Sequence, residues 1–405
     1  MSDVAVVGAG HAGYQAAASL RQLGFAGRLT LISDEPGLPY QRPPLSKSYL
    51  LGGFDERRLL HRQEKWYADQ SVDLLRDPAV RIDRAAHVVE TASGTSVPYD
   101  HLILATGARN RELPVPGSDL IGVRGMRTKA DADAIACWLR AGARVVVVGA
   151  GFIGLEFASV AAALGACVHV LEVADRSMAR GLSHRTAELV RRTHESWGIT
   201  FGFNQSVASI NGEDGRVRSV TTDDGRTLPA DLVVYGIGVL PNTDLAGHAG
   251  LAVADGIQVD TQLLTSDPNI SAVGDVARFP CRQIGGALTR LESVQNAADQ
   301  ARHVASRLTG HAGAYQALPW FWSDQGTLKI QIVGFSQGYD QTVELAGGSV
   351  PGSTVLCFSR GRLVAVETIN RPTDHMAARR LLTGPVALTP DEAARAGFQL
   401  VSTAG

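Results

Sequence analysis

A short apolar run opens the chain and leads directly into a glycine-rich turn. Residues 4–7 are valine and alanine, which predicts a buried strand, and the alanine-rich stretch ending near Gly24 predicts a helix. The turn between them carries Gly8, Gly10 and Gly13. This is the spacing of a dinucleotide-binding turn. The first glycine permits the tight turn, the second lets backbone amides approach a pyrophosphate, and the third lets the helix pack closely on the strand.

A second apolar run places a carboxylate at a suitable distance from this turn. Residues 29–33 predict a strand, and Asp34 and Glu35 follow it directly. Asp34 lies 21 residues after Gly13, where a dinucleotide fold needs an acid that accepts a hydrogen bond from a ribose hydroxyl. Strand, turn, helix, strand and acid together predict a first dinucleotide-binding domain.

The same arrangement recurs in the middle of the chain. Residues 144–148 predict a strand, a helix is predicted through Leu164, and a further strand over 167–171 ends at Glu172, 18 residues after the last glycine of the turn. The residues of this second turn are Gly149, Gly151, Ile153 and Gly154. Two copies, each bracketed by a strand and a helix and each followed by an acid, are not expected from chance glycine-rich turns. We therefore expect the chain to bind two dinucleotides.

Glu172 bears on which nicotinamide coenzyme is used. A carboxylate at this position accepts a hydrogen bond from the 2′-hydroxyl of NADH and repels the 2′-phosphate of NADPH. The sequence therefore favours NADH. Arg176 lies four residues further on and has the chemistry to hold a phosphate, so NADPH stays open as the alternative.

The composition predicts a globular protein of several domains. The chain has 405 residues, which is more than one hydrophobic core usually organises, so two or three domains are expected. Hydrophobic residues make up 45% and charged residues 19%. The 38 basic and 40 acidic residues leave a net charge of -2, which provides no overall field for nucleic acid or an anionic membrane.

Cysteine and histidine spacing predicts neither a metal site nor a dithiol centre. The cysteines are Cys137, Cys167, Cys281 and Cys357, which lie far apart and include no CxxC pair, and the 11 histidines are equally scattered. No secretory signal or membrane-spanning pattern is found, so a cytoplasmic protein with reduced thiols is expected.

Further glycine segments give the chain its resemblance to a known family. Ala105, Thr106 and Gly107 follow an apolar run at 102–104, and two later segments are Gly236-Ile237-Gly238 and Gly274-Asp275-Val276. In this order, with the two dinucleotide turns, they resemble the FAD-dependent pyridine nucleotide reductases. The resemblance covers essentially the whole chain. It implies that the first turn binds FAD and the second binds NADH.

Two more segments narrow this resemblance. Residues 42–47 (RPPLSK) and 318–325 (LPWFWSDQ) are similar to the ferredoxin reductases that serve bacterial cytochrome P450s and ring-hydroxylating dioxygenases, of the putidaredoxin reductase and palustrisredoxin reductase type. No cysteine lies between Met1 and Ala136. This absence argues against glutathione-reductase, thioredoxin-reductase and NADH-peroxidase chemistry, which need a thiolate or its oxidised form near the flavin.

The predicted fold class is α/β, with two Rossmann-like dinucleotide-binding domains in a glutathione-reductase-like architecture and a small C-terminal α+β domain. Two prolines make residues 113–117 the predicted crossing between the first two domains. Alternating runs at 329–333 and 363–368 and a helix at 374–382 are expected in the last domain. The predicted spans are 1–113 and 246–318 for the FAD domain, 114–245 for the NADH domain and 319–405 for the C-terminal domain.

The resemblance also implies roles for individual residues. Lys47 is expected beneath the flavin near N5, where its ammonium would stabilise the electron-rich reduced ring, and the family pairs it with a glutamate that here is Glu156. Pro43 and Trp322 complete the candidate catalytic set, with Trp322 lining the route between flavin and partner. The implied FAD-binding residues are Gly8, Gly10, Ala12, Gly13, Asp34, Lys47, Val80, Ala105, Thr106, Gly107, Arg127, Gly274, Asp275, Val294 and Trp320. Those for NADH are Gly149, Gly151, Ile153, Gly154, Glu172 and Gly238.

The activity implied is that of an NADH:ferredoxin oxidoreductase. A hydride would pass from NADH to FAD, and single electrons would then pass to a [2Fe-2S] ferredoxin that supplies a cytochrome P450 or a ring-hydroxylating dioxygenase. Arg302 and Lys329 are the candidate docking residues for an acidic ferredoxin. Two alternatives stay open, namely an NADH oxidase, and a redox-sensing NADH-binding flavoprotein of the apoptosis-inducing-factor type.

Overall fold

The computed structural model describes residues 3–311, 313–345, 352–384 and 388–403. The chain divides into two compact units, which are described separately below. The first unit comprises Met1–Gln41, Asp55–Arg109 and Val239–Ala317. The second comprises Arg42–Phe54, Asn110–Gly238 and Leu318–Gly405.

The helices and strands of the described residues are short and alternate along the chain. The helices are α1 (His11–Gln22), α2 (Glu56–Leu59), α3 (Glu64–Asp69), α4 (Lys129–Ala136), α5 (Phe152–Ala163), α6 (His184–Ser196), α7 (Asp244–His248), α8 (Val294–Leu308), α9 (Pro372–Thr383), α10 (Pro390–Ala393) and α11 (Leu400–Thr403). Single 3-10 turns lie at Pro43–Ser46, Gly274–Val276 and Arg282–Ile284. The strands before the second glycine turn are β1 (Val4–Val7), β2 (Leu29–Ser33), β3 (Val72–Arg76), β4 (Ala79–Asp83), β5 (Val88–Thr91), β6 (Ser96–Pro98), β7 (His101–Leu104), β8 (Ala108–Asn110), β9 (Val123–Gly125) and β10 (Arg144–Val148). Those after it are β11 (Cys167–Glu172), β12 (Thr200–Phe203), β13 (Val207–Glu213), β14 (Arg216–Thr222), β15 (Thr227–Pro229), β16 (Leu232–Tyr235), β17 (Val239–Pro241), β18 (Val253–Ala254), β19 (Gly256–Gln258), β20 (Ile270–Ala272), β21 (Ala277–Cys281), β22 (Ala287–Thr289), β23 (Trp320–Gln325), β24 (Leu328–Gly334), β25 (Gln341–Leu345), β26 (Ser353–Ser359) and β27 (Arg362–Ile369).

A five-stranded parallel sheet with the order β20-β7-β1-β2-β3 forms the centre of the first unit. Its middle strand β1 is buried at every position, because a parallel sheet is covered on both faces. Val4 lies opposite Leu29 on one side and His101 on the other. Helices α1 and α8 pack against each other beside this sheet. The predicted first strand, glycine turn and helix are confirmed.

The second unit contains a parallel sheet of the same design, with the order β12-β11-β10-β16-β9. Val145 of its middle strand pairs with Val168 and Leu232. Helix α5 follows the glycine turn after β10 and is buried over most of its length. The predicted elements at 144–148, 167–171 and 152–164 are therefore confirmed.

The second unit also carries an antiparallel sheet with the order β23-β24-β27-β26-β25. Helix α9 packs on this sheet and α11 packs on α9, so that a separate apolar core forms around Val333, Leu356 and Phe358. The alternating runs predicted at 329–333 and 363–368 lie in β24 and β27, and the helix predicted at 374–382 lies in α9. An α+β portion at the C-terminal end is confirmed.

Two properties of the described residues bear on other kinds of function. None of the helices combines the length and the hydropathy that crossing a membrane requires. Within the same residues, no group of three or more histidine, cysteine, aspartate or glutamate side chains is arranged to hold a metal ion. The division into units follows compactness and places residues 42–54 in the second unit. It does not test the predicted domain limits, which stay predictions.

Candidate active site

Two of the three glycines in the first turn leave no space for a side chain, and the other faces open space. A Cβ atom at Gly8, whose φ is 103°, would lie 2.2 Å from the carbonyl oxygen of Ala105, and one at Gly13 would lie 1.8 Å from the carbonyl oxygen of Gly8. A Cβ at Gly10 would meet nothing within 4 Å, and no side chain caps the start of α1 there. The start of α1 therefore fits a pyrophosphate, which accepts hydrogen bonds from backbone amides.

The segment of Ala105, Thr106 and Gly107 is tied to a residue that the sequence analysis did not single out. The Thr106 hydroxyl donates to the Asn242 carbonyl at 2.8 Å, and the Asn242 side-chain amide donates back to the Thr106 carbonyl at 2.8 Å. The Asn242 backbone amide donates to the Gly107 carbonyl at 3.0 Å. These three bonds fix the loop that also closes on Gly8.

The later glycine segment of the first unit packs against α1 and α8. Gly274 has a φ of 79°, a Cβ there would lie 2.9 Å from the Cβ of Ala12, and its amide donates to Oε1 of the buried Gln300 at 2.8 Å. The 3-10 turn that begins at Gly274 includes Asp275, and Val294 is the first residue of α8. The structure thus joins Ala12 and Gly274 in one contact.

The other predicted FAD residues are distributed over both units. Asp34 is exposed directly after β2, and Val80 on β4 is 53% exposed, which is unusual for a valine in a strand. Lys47, Arg127 and Trp320 belong to the second unit, whereas the remaining predicted FAD residues belong to the first. The carbonyl of Arg127 accepts a hydrogen bond from the Arg42 guanidinium at 3.0 Å.

The second glycine turn repeats the geometry of the first. Gly149 also has a φ of 103°, and a Cβ there would lie 2.6 Å from the carbonyl oxygen of Gly236. A Cβ at Gly154 would lie 2.1 Å from the carbonyl oxygen of Gly149, while one at Gly151 would meet only the Gly236 carbonyl at 4.0 Å. Ile153, 43% exposed, stands at the open start of α5. The turn therefore fits a second dinucleotide pyrophosphate.

Glu172 is fixed by backbone amides at the end of β11. Its Oε2 accepts from the Ala150 amide at 2.7 Å, and its Oε1 accepts from the Ala174 amide at 2.9 Å. A carboxylate has further lone pairs, so a ribose hydroxyl can still donate to it. Arg176 instead donates to the Ala179 carbonyl at 2.9 Å and pairs with Asp175 at 3.2 Å. Gly238, with a φ of 102°, follows the Gly236 segment.

An ion pair joins the half-buried Lys47 to the buried Glu156. The Lys47 ammonium lies 2.7 Å from Oε2 of Glu156 and donates to the Pro43 carbonyl at 3.1 Å. The Ser46 hydroxyl donates to the same Oε2 at 2.5 Å, and the Ser323 hydroxyl donates to Oε1 at 2.7 Å. The structure therefore brings Lys47, Pro43 and Glu156 together and adds two serines.

Local structure explains why these groups meet. Pro43–Ser46 forms a 3-10 turn that packs on α5, so Ser46 and Lys47 reach the same carboxylate. Glu156 is only 2% exposed within an otherwise almost wholly apolar helix, where an unpaired charge would be costly. Side chains alternate along β23, and its Phe321, Ser323 and Gln325 share one face. Phe321 packs on Phe152 of α5, with ring centroids 4.6 Å apart.

Trp320 and Trp322 lie on the other face of β23. Their ring centroids are 5.5 Å apart, and the Arg379 guanidinium sits 4.7 Å from the Trp320 ring. His375 makes an edge contact with Trp320, and burial together with Arg379 lowers the pKa of His375 to about 4. Trp320 is therefore held in a fixed orientation by neighbours from α9.

The two candidate docking residues are exposed, and each has an acidic neighbour. Arg302 on α8 lies 2.8 Å from Asp299 and is 55% exposed, and it also donates to the Gln15 side chain at 3.3 Å. Lys329 on β24 is 75% exposed and lies 3.8 Å from Asp324. They belong to different units.

Ser46, Ser323 and Asn242 also belong to these sites and were not predicted from the sequence. Ser46 and Ser323 fall inside the two segments that carried the resemblance. The signal for Ser323 is the two-residue alternation that turns it away from the tryptophans and towards a helix with one buried acid. Asn242 has no comparable local signal, because its partners are backbone groups far away in sequence.

Comparison with known proteins identifies the family. Residues 2–301 match the family Pyridine nucleotide-disulphide oxidoreductase, and residues 320–404 match Reductase C-terminal. The chain belongs to the pyridine nucleotide-disulphide oxidoreductase family. Enzymes of this family use FAD and NAD(H). The resemblance and the α/β fold class inferred from the motifs are confirmed.

Several relatives are ferredoxin reductases. Rhodocoxin reductase of Rhodococcus erythropolis is 47% identical over 401 residues, which cover 98% of this chain and 93% of that protein. Putidaredoxin reductase of Pseudomonas putida is 37% identical over 396 residues, which cover 96% and 93%. The solved ferredoxin reductase for the CYP199A2 system from Rhodopseudomonas palustris matches over 100% of both chains, with a TM-score of 0.97 and 47% identity. A covalent putidaredoxin reductase–putidaredoxin complex matches with a TM-score of 0.95 and 35% identity, covering 100% of this chain and 99% of the other.

Proposed function

We propose that this protein is an NADH-dependent ferredoxin reductase that passes electrons to a [2Fe-2S] ferredoxin of a cytochrome P450 or ring-hydroxylating dioxygenase system. The observation that carries the proposal is the combination of two open glycine turns with a Lys47–Glu156 ion pair in a cysteine-free N-terminal region. The named functions of the relatives, including a ferredoxin reductase for the CYP199A2 system and a putidaredoxin reductase in complex with putidaredoxin, support it.

FAD, when bound, supplies the chemistry by accepting a hydride from NADH and releasing the electrons one at a time. The protein's own part is to bind the two dinucleotides and to orient them. In the first unit, the turn at Gly8, Gly10 and Gly13 would hold the FAD pyrophosphate, with Asp34, Asp275 and Val294 among its other contacts. In the second unit, the turn at Gly149, Gly151 and Gly154 would hold NADH.

Lys47 has the properties of an electrostatic stabiliser. Its side chain is 17% exposed, and its ammonium is oriented by the Glu156 carboxylate and the Pro43 carbonyl, so little reorganisation is needed when negative charge develops nearby. A lysine held in this way stabilises charge better than a mobile surface lysine, because its position is fixed before the reaction. We assign Lys47, oriented by Glu156 and Pro43, to the stabilisation of the electron-rich isoalloxazine.

Coenzyme choice and partner docking complete the proposal. Glu172 favours NADH, and the engagement of the two terminal Arg176 nitrogens with Ala179 and Asp175 supports this choice, because both already have a partner. Trp322 would line the route to the ferredoxin, and Arg302 and Lys329 would meet acidic groups on it. The cysteines of the described residues form no disulfide, which fits the proposed cytoplasmic location.

The absence of cysteine before residue 137 separates this proposal from NADH oxidase and peroxidase chemistry. Cys281, in the first unit, is buried and donates to the Gln283 side chain at 3.1 Å. Burial raises the pKa of the Cys281 thiol, which disfavours the reactive thiolate.

The test is Lys47→Met, followed by anaerobic stopped-flow measurement of flavin bleaching with NADH. We expect the limiting reduction rate to fall by about tenfold or more, with NADH affinity nearly unchanged, because the lost interaction develops with the charge. Lys65→Met is the control, since Lys65 is 82% exposed and forms an ion pair with Asp69 on its own helix. An unchanged limiting rate in Lys47→Met would refute the assigned role.

A further inference from the structure

A chain of buried polar side chains continues inward from Glu156. Gln325 donates through Nε2 to the Ser323 hydroxyl at 3.1 Å, and Ser323 donates in turn to Glu156 at 2.7 Å. Oε1 of Gln325 lies 2.9 Å from Nε2 of His194 on α6. Ser323, Gln325 and His194 are each 0% exposed, so water does not compete for these bonds. The chain links α6 and β23 to the carboxylate that holds Lys47.

The direction of every bond in this chain is determined by its chemistry. A carboxylate only accepts, so Ser323 must donate to Glu156 and its oxygen is left to accept from the Gln325 amide. The other Gln325 N–H points at the Met178 sulfur, 3.7 Å away, which leaves the amide oxygen facing His194. His194 must then carry its proton on Nε2.

The surroundings of His194 agree with that tautomer. Its Nδ1 is buried and finds no hydrogen-bond partner among the described residues. Its ring packs beside Trp197 and Phe201, at centroid distances of 4.9 and 6.3 Å. Burial lowers the pKa of His194 to about 4, so the ring is neutral near neutral pH and has one N–H to donate.

Three donors from two elements therefore converge on one carboxylate. Lys47 and Ser46 occupy Oε2 of Glu156, while Ser323, backed by Gln325 and His194, occupies Oε1. If the Gln325 amide were reversed, its oxygen would face Ser323, and the single hydroxyl proton could serve either Glu156 or Gln325 but not both. Each link thus fixes the next, and the Glu156 carboxylate cannot rotate without breaking a buried hydrogen bond.

We propose that Ser323, Gln325 and His194 are positioning residues that fix the Glu156 carboxylate and, through it, the Lys47 ammonium that acts on the bound flavin. This inference rests on the role of Lys47 proposed above. These hydrogen-bonded side chains hold the ammonium in one place, so that its charge is available without rearrangement when NADH reduces the flavin. Losing a link lets the carboxylate and the lysine move, which weakens charge stabilisation without touching the NADH turn.

The test compares Ser323→Ala with Ser183→Ala in the FAD-loaded protein. Ser183 is a matched control, because it is also a fully buried serine that donates to a buried carboxylate of the same unit, Glu367, at 2.6 Å. The readouts are the limiting rate of flavin bleaching, the NADH affinity, the midpoint potential of the bound flavin and the thermal midpoint. Ser323→Thr, which keeps the hydroxyl, tests rescue.

For Ser323→Ala we expect a limiting rate about tenfold lower, a more negative flavin potential and unchanged NADH affinity, as for the loss of one hydrogen bond to a charged group. Ser183→Ala should lower the thermal midpoint and leave the rate and the potential at their wild-type values. Ser323→Thr should restore both. Gln325→Met, which removes the next link while keeping the volume similar, should lower the rate about two- to threefold.

The decisive measurement is whether the effect of Ser323→Ala depends on Glu156. In a Glu156→Gln background, Ser323→Ala should change the rate less than twofold, because the carboxylate it positions is gone. The inference is overturned if Ser323→Ala matches Ser183→Ala, or if its effect persists in that background. If Lys47→Met slows reduction and the Ser323 and Gln325 variants do not, the proposed function stands and this inference fails. If Lys47→Met itself is silent, the role assigned to Lys47 fails.

Discussion

The two dinucleotide folds share a backbone design and differ in the side chains placed on it. In each, the middle strand of a five-stranded parallel sheet leads into a glycine turn whose first glycine has a φ of 103° and closes on a carbonyl oxygen. Position for position, however, Glu156 of the second fold corresponds to Gln15 of the first. Backbone constraints make the phosphate site, whereas individual side chains decide what else each fold does.

Gln15 and Glu156 show how far the two folds have diverged in use. Gln15 donates to Ser19 on its own helix at 2.8 Å and accepts from Arg302 on α8. Glu156 is buried and collects one ammonium and two hydroxyls. The acids after the second strands differ as well, since Asp34 is exposed while Glu172 is bound to two backbone amides. In the second fold, therefore, both acids are held in place by hydrogen bonds within the protein.

The largest expected effect comes from adding a side chain at the first glycine of either turn. Gly8→Ala should give protein with FAD binding weakened by more than about tenfold, because the new Cβ meets the Ala105 carbonyl and the backbone conformation is strained. Gly149→Ala should keep its FAD and lose NADH affinity by a similar factor. Flavin content by absorbance and NADH affinity by rapid mixing measure the two.

Gly94→Ala is the control for this pair, since Gly94 has a φ of 88° but a Cβ there meets nothing within 4 Å. It tests the strain without the clash. If Gly149→Ala loses FAD while Gly8→Ala loses NADH, the assignment of the two turns is reversed.

The next effect contrasts Glu156 with its counterpart Gln15. Glu156→Leu should destabilise the protein by about 3–5 kcal/mol and slow flavin reduction, because Lys47 would be left without its buried partner. Gln15→Leu should cost less than about 1 kcal/mol, because Gln15 is only half-buried and its neighbour Arg302 is exposed and can bond to water. Denaturant unfolding of both variants checks the difference, and equal losses would show that the ion pair has no special weight.

Backbone-determined features could be predicted from the sequence, whereas partners brought together by packing could not. The glycine turns follow from spacing, because only glycine fits where a Cβ would strike a carbonyl. The Lys47–Glu156 contact was predicted from the family resemblance, and the cost of an unpaired acid in a helix that is almost wholly apolar agrees with it. Ser46 and Ser323 needed the packing of a 3-10 turn and of β23 on α5, which no local pattern encodes. The grouping of residues 42–54 with the second unit depends on the same non-local contacts.

A smaller effect separates the two ribose acids. Glu172→Gln should narrow the preference for NADH over NADPH by about tenfold, because the charge that repels a 2′-phosphate is removed while the amide oxygen can still accept one backbone hydrogen bond. Asp34→Asn should leave that preference unchanged. Steady-state turnover of ferricyanide with each coenzyme measures the ratio, and an unchanged ratio in Glu172→Gln would show that another group reads the ribose.

The smallest expected effect concerns docking. Reversing the charges of Arg302 and Lys329 to glutamate should slow ferredoxin reduction about three- to tenfold at low salt and flatten its salt dependence, because steering weakens. Turnover with ferricyanide should be intact, because a small acceptor needs no docking face. A wild-type rate and salt response would place the docking surface elsewhere.

The central claim is that electrons from NADH leave this protein singly to an iron-sulfur partner by way of bound FAD. An anaerobic titration with NADH, in the presence of catalytic amounts of the FAD-loaded protein and an excess of a [2Fe-2S] ferredoxin, tests it most directly. The account predicts two ferredoxins reduced for each NADH consumed, and no reduction by protein stripped of FAD. NADH consumption without ferredoxin reduction, or ferredoxin reduction that does not require FAD, would contradict it.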